Sequence, residues 1–131
     1  MLNKIIFAID NNHDLRTVAR FMRQMDTCRA MNILKGSFVS CIGMYKGVLE
    51  PSYMMDEKDF RDVVQKTHYL LKQESILHVP ADTRQPCTLE YLKDGVPDVT
   101  IESMREVSPA LAMTLSSWTY VIETNKYFST E

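Results

Sequence analysis

Residues 4–9 (KIIFAI) form a short apolar run with β-branched and aromatic members, the pattern of a buried strand. Asp10, Asn11 and Asn12 follow, with side chains suited to cap a helix. Leu15, Val18, Ala19, Met22 and Met25 then recur at helical spacing and predict one apolar helix face. Arg16, Arg20 and Arg23 lie off that stripe and read as its solvated side, with a phosphate-binding row as the alternative. Between residues 31 and 55 no helical period persists. Ile33, Leu34, Phe38, Val39, Ile42, Tyr45, Val48, Leu49 and Tyr53 favour strands, interrupted by Gly36, Gly43 and Gly47, and predict two strands joined across a glycine-bearing turn. Such glycines mark places where the backbone bends or a ligand comes close.

A second helix is predicted from Asp56 to about Lys72. Asp56-Glu57-Lys58-Asp59 has the spacing of a capping box, with Met55 and Phe60 placed as a hydrophobic staple. Phe60, Val63, Val64, Thr67, Leu70 and Leu71 supply its buried stripe. Residues 74–79 (ESILHV) and 87–92 (CTLEYL) read as strands separated by a proline-bounded loop, and Lys93-Asp94-Gly95 as a turn. Residues 99–107 read as a further strand or irregular chain, residues 96–115 carry no clear pattern, and 118–128 read as a last strand or hairpin. The order β-α-β-β-α-β with further strands is that of a ferredoxin-like α+β sandwich with a C-terminal strand extension.

The 131 residues fit one domain, 1–131, with a core large enough to need no disulfide or metal. With 15 basic and 17 acidic side chains the net charge is −2, which argues against nucleic-acid binding by bulk charge. No apolar run approaches the roughly eighteen residues of a membrane span, and the N-terminal run is too short for a signal peptide, so a cytoplasmic protein is expected. Cys28, Cys41 and Cys87 are odd in number and widely spaced, which suits reduced small hydrophobes rather than a disulfide framework or zinc site. The nine methionines read as core filler.

Dinucleotide, P-loop, zinc-protease and nucleophile-elbow motifs are all missing. His13, His68 and His78 are isolated and read as surface or interface residues rather than ligands or general bases. Two polar clusters interrupt apolar surroundings. One runs over residues 43–52 and places Glu50 inside a strand; the other is Gln73-Glu74-Ser75, where the second helix hands over to a strand. A carboxylate at such a position is desolvated unless paired, so it marks a candidate site, the bland reading being an edge or cap residue facing water.

Three segments, MYKGVLEPS, QESILHVPADTRQPCTLEYLKDG and MREVSPALAMTLSSWTYVIETNKYF, resemble the phage-encoded S-adenosylmethionine lyases, formerly called hydrolases. The similarity rests on Tyr45, Gly47 and Glu50, on Gln73 and Glu74, on Tyr91 with Gly95, and on Glu106-Val107-Ser108. It spans residues 33–128 through order and spacing rather than one diagnostic motif.

The resemblance implies a trimer of ferredoxin-like subunits, similar to the PII-like nucleotide-binding proteins, with active sites between subunits. It implies conversion of S-adenosylmethionine to 5′-methylthioadenosine and L-homoserine lactone, with no cofactor or metal and no nucleic-acid or membrane partner. On that basis Glu50, Glu74 and Tyr45 are expected to be catalytic, and Gln73, Ser75 and Gly47 to bind substrate. The family's biological role, removing the cofactor of host restriction systems, would place the chain in the cytoplasm of a phage-infected cell. Two other readings stay open: a PII-like trimer that binds an adenine nucleotide without turnover, and a phage protein that inhibits a host enzyme by contact.

Overall fold

A computed structural model describes residues 2–8, 15–34, 38–65 and 74–131. The first apolar run becomes β1 (Lys4–Ala8), which lies between β3 (Val48–Asp56) and β4 (Ser75–Val79) and is antiparallel to both. Its side chains from Ile5 to Ala8 are buried on both faces, which explains why the run does not alternate. β2 (Val39–Tyr45) pairs with β3 through a two-residue turn. Lys46 and Gly47 both have positive φ there, 50° and 80°, the type I′ geometry that matches strand twist.

The helix α1 (Leu15–Ala30) covers one face of this sheet. Its buried stripe is Phe21, Met25 and Cys28, flanked by Val18 and Met22. This corrects the expected stripe: Ala19 is exposed, and Phe21, left out of the sequence reading, is among the most buried side chains. An aromatic side chain gains more by burial than an alanine, so the helix is rotated towards Phe21. Arg16, Arg20 and Arg23 are exposed. The expected caps at Asp10, Asn11 and Asn12, and also His13, His68 and Gly36, lie outside the described residues.

The second helix begins as α2 (Glu57–Asp59) and continues as a π-helical turn, Phe60–Val64. The rest of its predicted span, including Thr67, Leu70, Leu71 and Lys72, lies outside the described residues. The expected capping box is not formed. Asp56 occupies the N-cap position without a side-chain cap, and its buried carboxylate pairs instead with Lys4, its ladder partner on β1. A charge-assisted bond to a neighbouring ammonium outcompetes a neutral N–H donor. Met55 and Phe60, the expected staple, both belong to the core. Around Phe7, ring centroids lie 5.0 Å from Phe60, 5.8 Å from Tyr53 and 6.1 Å from Phe21.

Beyond β4, β5 (Thr88–Tyr91) and β6 (Val99–Thr100) extend one side of the sheet. β7 (Arg105–Val107), β8 (Trp118–Val121) and β9 (Lys126–Ser129) extend the other. Residues 118–128 thus form a hairpin, and residues 99–107 two short strands. Between β7 and β8 lies a single turn of helix, α3 (Pro109–Ala112), capped by Ser108. The strand order is β6-β5-β4-β1-β3-β2-β8-β9-β7, antiparallel throughout the described pairings.

That order forces a curl. β6 and β7 stand at opposite ends of the nine-stranded order, yet only residues 101–104 join them. Five residue steps reach about 18 Å at most. A flat sheet of this order would separate its edges by eight strand spacings, about 38 Å. The sheet therefore bends its two edges towards each other across the face that α1 does not cover.

The methionines divide. Met25 and Met55 are in the core, whereas Met31 and Met113 are 66% and 61% exposed, so filling the core is not their common role. Cys28, Cys41 and Cys87 are free and buried, as expected. Among the described residues, no helix is long and apolar enough to cross a membrane.

Candidate functional site

Opposed residues of an antiparallel ladder project to the same face. Ile5, Phe7, Tyr53 and Met55 face the helices, so Ile6, Ala8, Glu50, Ser52, Gly43, Tyr45, Ser75 and Leu77 share the opposite face. The curl turns this face into a cleft of about 150 Å³. Leu89, Ile101 and Met104 wall it on one side, and Ser117, Thr119, Phe128 and Ser129 on the other.

Three of the expected site residues, Tyr45, Glu50 and Ser75, line this cleft. Glu50 is half-buried on β3 and stands opposite Gly43 on β2. Tyr45 lies two residues beyond Gly43, at the hairpin end, with the Lys46 ammonium 5.2 Å from its ring centre. Ser75 opens β4 and enters from the far side of β1. The cleft does not gather the others. Gly47 is exposed at the hairpin turn, where its positive φ accounts for the glycine. Glu74 is exposed at the bend before β4, and its carbonyl accepts a hydrogen bond from the Leu92 N–H at 3.1 Å. Gln73 lies outside the described residues.

Several lining groups have no counterpart among the expected site residues. Ser52 is 5% exposed and donates through Oγ to the Glu50 carbonyl at 3.3 Å. Thr119 is 9% exposed and stands opposite Gly43 from the other side. Ser129 Oγ donates to the Ser117 carbonyl at 2.7 Å. The period of two would have found Ser52, two residues from Glu50 on one strand. Thr119 becomes a neighbour only through pairing between β2 and β8, which local pattern does not encode.

The chemistry available is narrow. Among the described residues lining the cleft, Glu50 is the one carboxylate, and the rest are hydroxyl or apolar groups apart from the Tyr45 phenol, the Trp118 indole and Gly43. Cys41, buried on the same face between Ser52 and Val121, is no nucleophile: burial pushes its thiol up to about 11. No three His, Cys, Asp or Glu side chains converge among the described residues. The arrangement suits binding and orienting a small molecule better than supplying a nucleophile or base.

A comparison with curated proteins finds no match. Among models of known families, that of the S-Adenosylmethionine lyase family matches residues 9–131, a span that includes every expected site residue. The chain therefore belongs to the S-adenosylmethionine lyase family.

Proposed function

We propose that this chain converts S-adenosylmethionine to 5′-methylthioadenosine and L-homoserine lactone. The substrate's own carboxylate oxygen attacks its γ-carbon, a C–O bond forms, and the C–S bond breaks with its electron pair going to sulfur. Carboxylate and sulfonium are neutralised together, so the reaction asks for no external nucleophile, proton or metal. The protein's task is to hold the ring-closing conformer, which can be worth several kcal/mol, and to keep water from solvating the charges about to vanish. The observation that carries this reading is the largely apolar cleft on the face that α1 does not cover, with Glu50 as its one carboxylate among the described lining residues.

A carboxylate beside the sulfonium would stabilise the ground state and slow the reaction. Glu50 and Glu74 therefore act as anchors for substrate hydroxyl or ammonium groups, with Tyr45 contributing its phenol or ring. Ser75, which lines the cleft, binds substrate beside them, and Gln73 and Gly47 take the same role only through the family resemblance. The order β4-β1-β3-β2, with α1 and the α2 turn on one face, supports a ferredoxin-like core. Two features support a trimer with clefts completed by a neighbour. The cleft's 150 Å³ falls well short of the roughly 300 Å³ at which small-molecule pockets begin. Val48 and Leu49, beside Tyr45 and Glu50, leave 54% and 55% of their surface exposed in one chain. In a cell, the reaction would deplete the cofactor of host restriction and methylation systems, a role suited to a phage product in the cytoplasm.

Incubation of the purified protein with S-adenosylmethionine, followed by chromatography, tests the proposal. Methylthioadenosine and homoserine lactone are the expected products. Glu50→Gln is expected to lower kcat/KM by about 10- to 100-fold, the worth of a charge-assisted hydrogen bond or two. Intact substrate after long incubation, with an adenine ligand still raising the melting temperature, would instead identify a binding module.

A further inference from the structure

The cleft wall built by β8 and β9 is the open end of a hairpin. The turn joining the two strands lies at residues 122–125, and their ladder runs from Val121 and Lys126 beside it to Thr119 and Phe128. Ser117, Trp118, Thr119, Phe128, Ser129 and Thr130, which line the cleft, all stand at the end away from that turn. Open strand ends fray unless something ties them. Glu131 supplies the tie. Its carboxylate accepts from the Ser117 N–H through Oε2 and from the Ser116 hydroxyl through Oε1, both at 2.8 Å. Its own N–H donates to Ser129 Oγ at 3.1 Å, and Ser129 Oγ donates in turn to the Ser117 carbonyl at 2.7 Å. Arg105 on β7 donates to the Glu131 carbonyl at 2.8 Å, so the ends of three strands meet at one residue.

This ring of bonds closes on Ser117. Both backbone polar groups of that residue, which precedes β8, are met by side chains, one from Glu131 and one from Ser129. Ser129 is 2% exposed, and its hydroxyl is fixed by one bond given and one received. Glu131 itself is exposed and does not line the cleft. The Ser117 N–H and the Ser116 hydroxyl hold its carboxyl below the usual carboxylate range, so the tie is ionised at neutral pH. We infer that Glu131 is a positioning residue: from outside the cleft, and through Ser117 and Ser129, it fixes the wall against which the substrate lies. The assignment takes its substrate from the lyase reading and adds the group that sets the shape of one side of the site.

Two variants separate positioning from mere support. Glutamine keeps both prongs, since its amide oxygen accepts from the Ser117 N–H and its amide N–H donates to Ser116 Oγ. Alanine keeps neither. Wild type, Glu131→Gln and Glu131→Ala are compared by S-adenosylmethionine kinetics, by calorimetric titration with 5′-methylthioadenosine, and by melting temperature. A displaced wall gives up contacts to substrate and transition state together, so the loss falls on KM. Glu131→Ala is expected to raise KM and the nucleoside Kd about 5- to 20-fold with kcat within about twofold, and Glu131→Gln to restore both to within about threefold of wild type. A merely structural role would lower the melting temperature, the binding stoichiometry and the apparent kcat while KM and Kd stay put. That pattern, or equal losses in the two variants, would overturn the inference. Unchanged KM and Kd in Glu131→Ala, beside a wild type that turns over S-adenosylmethionine, would remove the positioning role and leave the lyase reading standing. A wild type that binds the nucleoside without turnover would reject the lyase reading, and the Kd comparison would then decide the role of Glu131. Neither binding nor turnover in the wild type would reject both.

Discussion

Cys41 shows how far a residue's surroundings decide its chemistry. It shares a sheet face with Glu50 and Ser52, yet burial without a compensating charge keeps its thiol protonated, at about 11. Native protein at pH 8 should therefore leave Cys41 unalkylated by iodoacetamide, with rapid labelling only in denaturant. Peptide mapping after labelling checks this, and fast native modification at Cys41 would contradict the burial argument. The glycines make a related point. Gly43 and Gly47 look alike in the sequence, but one is needed for space and the other for its φ of +80°. Gly47→Ala should cost about 1–2 kcal/mol of stability, the penalty of a side chain in the left-handed region, read from the urea midpoint. The site was legible where one residue type carried the signal, as with Glu50 inside an apolar strand. It was not legible at Thr119, an ordinary strand residue until β2 and β8 are seen to pair.

At the scale of elements, α2 and the π-helical turn after it are held by a polar network as well as by Phe60 and Val64. Glu57 accepts from Asn3 Nδ2 at 3.2 Å, lies 3.2 Å from His78 Nε2 and pairs with Arg61 at 3.2 Å. Arg61 also reaches Glu90 on β5 at 2.8 Å. His78, isolated in the sequence, is thus a tertiary partner of Glu57. Partial burial alone would raise the Glu57 pKa. The hydrogen bonds from Asn3, His78 and Arg61 outweigh it and hold the carboxyl below its usual range. A folded pKa below the unfolded one means the contribution is complete above the ordinary glutamate value and is lost as pH falls through the folded one. The difference in melting temperature between wild type and Glu57→Gln should accordingly be largest near neutral pH and shrink on acidification below about 4.5. A difference that grew on acidification would invert the sign. Helix α3 escaped the sequence reading because four residues are too few to show a period. Its start was nonetheless written in Ser108-Pro109: Ser108 Oγ accepts from the Leu111 N–H at 3.1 Å, and proline stands at the first helical position. Ser108→Ala should cost about 1 kcal/mol in chemical denaturation.

At the scale of the whole molecule, the curled sheet produces a cleft but leaves it open and small for a nucleoside substrate. The proposed trimer predicts three chains per particle by light scattering; a single-chain mass at assay concentration would remove the intersubunit site. It also gives Glu74 a place. That residue is exposed and does not line its own chain's cleft, so it would act from a neighbour. Mixing Glu50→Gln with Glu74→Gln subunits, each weakened alone, should then restore part of the activity, because some interfaces pair two intact halves. No recovery in demonstrably mixed particles would place both carboxylates in one chain's contribution.

By itself the sequence determined the types and order of the elements from β1 to β5. Periods of two and 3.6 report which residues share a face, and short-range signals such as Lys46-Gly47 and Ser108-Pro109 set turns and caps. It also singled out Glu50, since a carboxylate within an apolar strand departs from its local pattern, and it carried the family resemblance. Tertiary structure alone decided which strands become neighbours, that β6 and β7 end at opposite edges, and that residues 101–104 draw those edges together. It also decided that α1 turns towards Phe21 and that Asp56 chooses Lys4 over its own helix. The reason is physical. Periodicity assigns faces within one element, but partners are chosen by burial and charge over the whole chain. The row Glu50, Gly43 and Thr119 joins residues up to 76 positions apart, and no local pattern relates them.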